Sequence, residues 1–268
     1  MSNDLTKMAK GASPSAPAPD AASRLKRDLM TDAFNRMFGT KEPEKPIAPG
    51  NPRMLLALAN HGHSPGWEYA VALERQAYTA APSLEMKFAC WGPDNAKGVR
   101  MLRITKDWIS DADTMAGLMG RAECNCGCYV LVNSVLQQAV EENKNRPMRA
   151  VAVIGDCFHD DEDDLDKAAL AARELQRQGT RVFLIQQGSD PLTAHKLQYL
   201  KQVSGAAYFK VGPETRQLEE MLKVISTYAG GGEEAVRATG GQAAPLLLEH
   251  FKQVPMPILE EERELVRR

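Results

Sequence analysis

The sequence predicts an α/β fold in which a doubly wound, mostly parallel central sheet carries helices on both faces. Short apolar runs at residues 54–58, 150–154 and 181–185 are typical of strands that are buried on both sides. Segments with helical periodicity separate these runs, and the alternation of strands with helices favours a parallel sheet. Ligands of such sheets bind beyond the carboxyl ends of the strands, so we expect a functional site at that edge.

The remaining elements follow from similar signals. Residues 84–91 and 101–104 are candidate strands, and the turn residues Gly92-Pro93-Asp94-Asn95 between them favour a hairpin. Gly179 and Gly205 stand where a helix would end in a left-handed residue. We predict strands at 54–58, 84–91, 101–104, 150–154, 181–185 and 207–210, and helices at 67–80, 130–142, 163–178, 193–203 and 215–228.

Four segments are expected along the chain. Residues 1–23 are rich in Ser, Pro and Ala and bury too little apolar surface to fold, so we predict a disordered tail. Residues 24–50 are predicted to form an amphipathic helix and a proline-rich linker, 51–232 the α/β domain, and 233–268 a helical extension. Glycines 230–232 are interpreted as flexible joints. Short helices at 246–251 and 258–266 could pack on the domain or hold a partner.

Composition argues against several classes of function. The chain has 33 Lys and Arg against 35 Asp and Glu, so neither nucleic acid nor an anionic membrane is an expected partner. There is no export signal and no apolar run of about 18 residues, which predicts a cytoplasmic protein. The five cysteines are odd in number and closely spaced, unlike a secreted disulfide framework, so we expect reduced thiols.

Histidine and cysteine are concentrated in three short turns. These are His61-Gly62-His63, Cys124-Asn125-Cys126-Gly127-Cys128 and Asp156-Cys157-Phe158-His159. The first and third directly follow predicted strands, and all three are expected at the same edge of the sheet. An acidic run at 159–164 follows the third turn, and we interpret it as the solvated start of a helix, because it lacks the glycine and the spacing of a calcium loop.

Several ordered stretches carry a resemblance to a known family. They are Ile154-Gly155-Asp156, Arg177-Gln178-Gly179, Val182-Phe183-Leu184-Ile185 with Gly188, and Leu200 through Ser204-Gly205-Ala206-Ala207-Tyr208-Phe209. Together they resemble the second half of a von Willebrand factor A (vWA) domain. The span from Arg53 to about Gly232, with Pro65, Trp67 and Gly155-Asp156-Cys157, is similar to a bacterial subgroup of that family. The resemblance implies a scaffold for protein interaction inside a bacterial cell.

The family's metal site is only partly present. Such domains usually hold magnesium through Asp-x-Ser-x-Ser after the first strand, a Thr on a middle loop and an Asp after the fourth strand. Here the first loop reads Ala59-Asn60-His61-Gly62-His63, and the threonine loop reads Gly127-Cys128-Tyr129-Val130. Only Asp156 matches. The resemblance therefore implies a degenerate metal-ion-dependent adhesion site, and magnesium is not expected.

Two interpretations of the edge stay open. In the first, no cofactor is bound, and a protein partner, a second copy or a larger complex contacts an edge made of Asn60, His61, His63, Tyr129, Asp156 and Phe158. In the second, imidazole and thiolate ligands bind zinc, or neighbouring thiols carry out redox chemistry. The zinc ligands would come from His61, His63, Cys126, Cys128, Asp156 and His159.

An enzyme is not expected. A nucleophilic pair of Cys157 with His159 would need the two side chains to meet, whereas side chains two residues apart on an extended turn point in different directions.

Overall fold

The computed structural model describes residues 50–59, 75–93, 100–121, 131–212 and 215–254. Within these ranges one sheet of six strands has the order β3-β2-β1-β4-β5-β6. The strands are β1 (Arg53–Leu58), β2 (Glu85–Pro93), β3 (Arg100–Ile104), β4 (Ala150–Gly155), β5 (Arg181–Gln187) and β6 (Ala207–Val211). All neighbouring strands are parallel except β2 and β3, which form the predicted antiparallel hairpin. The predicted fold class is confirmed.

Helices follow the strands as expected, with one addition. They are α1 (Ala112–Arg121), α2 (Val132–Asn143), α3 (Glu162–Arg177), α4 (Pro191–Ser204), α5 (Thr215–Ala238) and α6 (Ala243–Gln253), and residues 75–80 are also helical. Helix α1 was not predicted. The sequence does carry signals for this helix. Asp111 is a capping residue and accepts a hydrogen bond from the Thr114 amide at 2.7 Å. Met115 and Met119 are one helical turn apart, and both are buried.

The central strands are buried on both faces. Met54 and Leu56 of β1 belong to one hydrophobic cluster with Leu222 of α5 and Leu247 of α6. Leu55, which points to the opposite face, is equally buried, and α2 and α3 contact the sheet at β4 and β5. Each such leucine contributes about 1.5–3 kcal/mol by leaving water. Within the described residues no helix combines the length and apolar character needed to cross a bilayer.

The glycine-rich stretch at 230–232 lies where two helical segments meet at a kink. Helix α5 continues to Ala238, with a kink at Gly232, whose φ of 73° is left-handed. A Cβ on Gly230 would lie 2.8 Å from the Cβ of Ala81, so glycine allows the helix to approach its neighbour closely. The helix predicted to end at residue 228 continues to the kink at Gly232, and Gly230 serves close packing. The flexibility of this joint stays a prediction.

Helix α6 packs on the domain. Leu247 and Phe251 are buried in the same cluster as the sheet. Arg181, at the start of β5, is buried, and its guanidinium lies 4.5 Å from the centre of the Phe251 ring and donates a hydrogen bond to the Val254 carbonyl. Burial, followed by the charges of Arg181 and Lys201, lowers the pKa of His250 on the same helix to about 4. Of the two roles left open for this helix, the structure shows the packed one.

Candidate functional site

Three strand ends meet at the carboxyl edge of the sheet. Ala59 follows β1, and its amide donates to the carbonyl of Ile154 in β4 at 2.8 Å. Asp156 follows β4 directly. Gly188 follows β5 with a φ of 105°, and a Cβ built on it would lie 4.0 Å from the Cβ of Asp156. The parallel topology thus brings the ends of β1, β4 and β5 to one place.

The loop after β4 turns inward at Phe158. A Cβ on Gly155 would meet the Phe158 ring at 2.8 Å and the Ala59 Cβ at 2.9 Å, so glycine is needed for this packing. Phe158 is only 2% exposed. Its amide donates to Thr193 Oγ1 at 3.0 Å, and its carbonyl accepts from Lys196 Nζ at 2.9 Å. The ring therefore anchors the loop, and its buried face is unavailable to a partner.

Asp160 ties the same loop to a second helix. Its carboxylate is 1% exposed and accepts hydrogen bonds from the amides of Val132 at 2.9 Å and Asn133 at 2.8 Å, in the first turn of α2. Burial raises the pKa of Asp160, although the two amide hydrogen bonds favour the anion. The interpretation of the acidic run as a solvated helix start was therefore wrong at this residue. The neighbouring Asp161 is exposed and caps α3 through the Asp164 amide at 2.8 Å.

Cys157 and His159 face each other within this loop. Cys157 Sγ lies 3.0 Å from His159 Nε2, and both side chains are partly exposed. The expectation that the two side chains diverge was wrong, because residues 157–161 belong to neither helix nor strand and do not alternate as strand residues do. A thiol and an imidazole at this distance can form a hydrogen bond, in which the imidazole tautomer decides the donor.

Cys90, in the second half of β2, has a different oxidation state. It is buried and disulfide-bonded. The expectation of reduced thiols is therefore wrong for this residue. Leu58 and Cys90 pair in the parallel ladder between β1 and β2, so the disulfide lies near the same edge.

Two positions of the magnesium site that the resemblance implies, residues 59 and 156, lie among the described residues. Ala59 stands where the family's leading Asp would be, and its buried methyl group offers no oxygen ligand. Among the described residues no group of three or more His, Cys, Asp or Glu side chains could hold a metal. Asp156, Phe158 and His159 lie on the loop after β4, whereas the other predicted zinc and partner-contact residues lie outside the described residues: Asn60, His61, His63, Cys126, Cys128 and Tyr129. The zinc ligand set stays a prediction.

Leu192 is a surface residue that the sequence interpretation missed. It is 59% exposed in the first turn of α4, next to Thr193, which binds the Phe158 amide. Asp190 caps this helix through the Thr193 amide at 2.8 Å, and the hydrogen bonds from Thr193 lower the pKa of Asp190. The helical periodicity could have identified Leu192 as exposed, because Leu197 and Leu200 define the buried face of α4 and Leu192 lies outside that face.

Comparisons with known proteins bear on the fold. No family model and no curated protein matches the chain. The solved structure of a von Willebrand factor type A protein from Catenulispora acidiphila aligns at 13% identity and a TM-score of 0.51, over 68% of this chain and 43% of that one. The SpRpn10 VWA domain aligns at 13% identity and a TM-score of 0.45, over 65% of this chain and 94% of that one. BatB from Bacteroides thetaiotaomicron aligns at 14% identity and a TM-score of 0.44, over 63% and 95%. The described residues have the fold of vWA domains.

Proposed function

We propose that the chain is a non-enzymatic vWA-like module for protein interaction or assembly, which binds a protein partner at the carboxyl edge of its sheet. The partner's contact surface would include the loop after β4, with Asp156 and His159, and Leu192 at the start of α4. Asn60, His61, His63 and Tyr129 remain candidate contacts on neighbouring loops. The proposal includes the loss of the family's magnesium site and a cytoplasmic location.

One observation carries the proposal: two residues of the loop after β4 are held by hydrogen bonds to separate helices. Asp160 binds two amides of α2, and Phe158 binds Thr193 and Lys196 of α4. A surface loop that is fixed before binding loses less conformational entropy when a partner docks. Such fixation is expected for a recognition surface.

Leu192 supplies the apolar part of this surface. Interfaces combine buried apolar anchors with a polar rim. Leu192 is a large exposed apolar side chain one residue from Thr193, and Asp156 and His159 provide polar groups on the adjoining loop. A protein partner with an apolar side chain and hydrogen-bonding groups would complement this arrangement better than a small polar substrate would.

The loss of magnesium follows from the ligand chemistry. Ala59 cannot replace a carboxylate, and among the described residues of the implied site Asp156 is the one hard ligand, whereas a magnesium site needs several oxygens. The partner would then be held by direct contacts and not through a shared cation. Partner binding should accordingly be insensitive to a chelator.

Site-specific cross-linking tests the proposal. A photoreactive benzoylphenylalanine would be placed at position 192, and in a matched variant at position 246, where Leu246 is 57% exposed on α6. We expect a discrete cross-linked protein from position 192 only. With that protein purified, Leu192→Asp should weaken binding at least about tenfold, since burial of a leucine contributes about 1.5–3 kcal/mol. Equal cross-linking from both positions, or equal affinity of Leu192→Asp and Leu246→Asp, would reject this edge.

Thiol chemistry or zinc binding is the second candidate. It is favoured by the 3.0 Å contact of Cys157 Sγ with His159 Nε2 and by the disulfide at Cys90. Elemental analysis of protein purified without added metal tests zinc, with a Cys126→Ser, Cys128→Ser double variant as the control. If the protein contains stoichiometric zinc and the double variant does not, the proposal that the domain binds no metal is rejected in favour of a zinc site. Mass spectrometry after alkylation, with and without reductant, would show which thiols change oxidation state.

A further inference from the structure

A cavity opens at the amino-terminal edge of the sheet, opposite the edge proposed for the partner. Its volume is about 310 Å³. It is lined by Arg53 at the start of β1, Arg149 immediately before β4, and Gly179 shortly before β5. Small-molecule sites usually enclose about 300–1,000 Å³, so this cavity has the size of a small ligand site.

The charge of this cavity is strongly positive. Arg53, Arg146 and Arg149 line it, and none of its lining residues is acidic. The nearest carboxylate in contact with them is Glu85, whose Oε2 accepts from Arg53 Nε at 2.9 Å and from Arg146 Nη2 at 2.8 Å. Three guanidinium groups and one carboxylate give a local charge of 3 − 1 = +2. The chain as a whole has a net charge of −2, so this concentration of positive charge is local.

Glu85 holds two of the arginines in position. Burial alone would raise the pKa of Glu85, but the hydrogen bond from Arg53 and the charges of Arg146 and Arg53 outweigh it and lower the pKa. The Arg53 guanidinium also lies 4.5 Å from the centre of the Trp108 ring. Fixed guanidinium groups lose little side-chain entropy when a ligand arrives.

Arg149 contributes one of the two positive charges that Glu85 does not neutralise. Its Nη1 donates to the carbonyls of Ala229 at 3.1 Å and Gly230 at 3.0 Å, which orient the side chain. Among the described residues no carboxylate pairs with Arg149. The Arg149 guanidinium group therefore lies beside the cavity with a fixed orientation and with a positive charge that no described carboxylate neutralises.

We propose that this cavity, the arginine pocket (Arg53, Arg146 and Arg149), binds a small oxyanion with two or more negative charges, of the phosphate or polycarboxylate class. The planar guanidinium fork matches the oxygens of both groups and can donate two parallel hydrogen bonds. The site is at the other edge of the sheet and does not depend on the function proposed above.

Calorimetric titration of the full chain tests the pocket, with inorganic phosphate, pyrophosphate and citrate as probes at constant ionic strength. We expect saturable binding of at least one probe, and the tightest probe assigns the class. Arg149→Gln should weaken that binding about tenfold or more, because hydrogen bonds to charged groups contribute about 1.5–3 kcal/mol. Arg216→Gln makes the same change in net charge at an exposed arginine of α5 and should leave binding unchanged.

A second pair of variants removes no donor from the pocket. Pro147 is an exposed lining residue, so Pro147→Glu introduces a negative charge at the cavity and Pro147→Gln is its neutral control. We expect Pro147→Glu to bind the probe at least about tenfold more weakly than Pro147→Gln, since the two variants differ mainly in charge. The proposal is overturned if no probe binds saturably, or if Arg149→Gln and Pro147→Glu bind as tightly as their controls while remaining folded by circular dichroism.

Discussion

Asp160→Ala should destabilise the domain more than any other change in the acidic run. The carboxylate of Asp160 is 1% exposed and is the acceptor for the amides of Val132 and Asn133. Alanine leaves the buried Val132 amide without its acceptor, whereas the partly buried Asn133 amide can recruit water. The helix start also loses a negative charge that interacts favourably with the helix dipole.

The magnitude follows from these contacts. Leaving a buried donor unsatisfied costs about 1–3 kcal/mol, and loss of a capping group costs about 0.5–2 kcal/mol; the two overlap, so we expect about 2–3 kcal/mol. Urea denaturation of the full chain measures this loss directly. With an m-value of about 2 kcal/mol/M, the midpoint should fall by about 1–1.5 M.

The adjacent residue provides the control. Asp161 is exposed and caps α3 by accepting from the Asp164 amide. Asp161→Asn retains an oxygen that can cap and should change stability by less than about 0.5 kcal/mol. If Asp160→Ala costs no more than Asp161→Asn, the reasoning that the loop is fixed through α2 is refuted.

Three further predictions concern the core. Burial lowers the pKa of His250 to about 4 from an unfolded value near 6.5, so the stability that neutral His250 provides is complete above pH 6.5 and is lost as the pH falls through 4. The loss is at most about 3 kcal/mol, and urea titrations from pH 7.5 to 4 should show a smaller decline in His250→Gln. Gly230→Ala should destabilise by about 1–3 kcal/mol, because its Cβ would lie 2.8 Å from a neighbouring methyl group, whereas Gly117→Ala, with open space around it, should stabilise by about 0.5–1 kcal/mol. Equal thermal shifts for the two glycine variants would contradict this. Lys87→Met should lower the free energy of unfolding by about 3 kcal/mol, because it leaves the Glu142 carboxylate, which Lys87 contacts at 2.8 Å, without its ion-pair partner. In a double-mutant cycle, the Lys87→Met, Glu142→Leu double variant should recover much of that loss.

Local patterns were sufficient for most elements. The strand predicted at 54–58 is Arg53–Leu58, and the glycines predicted to end two helices, Gly179 and Gly205, have left-handed φ values of 83° and 74°. These features depend on neighbouring residues, whose apolar spacing and conformational freedom are visible in the chain. Gly230 was misjudged, because what decides its role is Ala81, a residue distant in sequence.

The candidate site divides in the same way. The position of Asp156 at a strand end followed from the predicted sheet, since parallel strands direct their carboxyl ends to one edge. The contact of Cys157 with His159 did not follow, because it depends on the course of a loop that is neither helix nor strand. The loops with His61 and His63 and with Cys124, Cys126 and Cys128 lie outside the described residues, so their roles stay predictions from the sequence.

By itself, the sequence determined the alternation of strands and helices, and with it the edge where a site should lie. The tertiary structure decided which side chains meet: Asp160 with the first turn of α2, 28 residues away, and Arg53 with Arg146 on one carboxylate at the opposite edge. The physical reason is that backbone conformation responds to local spacing and caps. Side-chain partners depend instead on the packing of elements that are far apart in the chain.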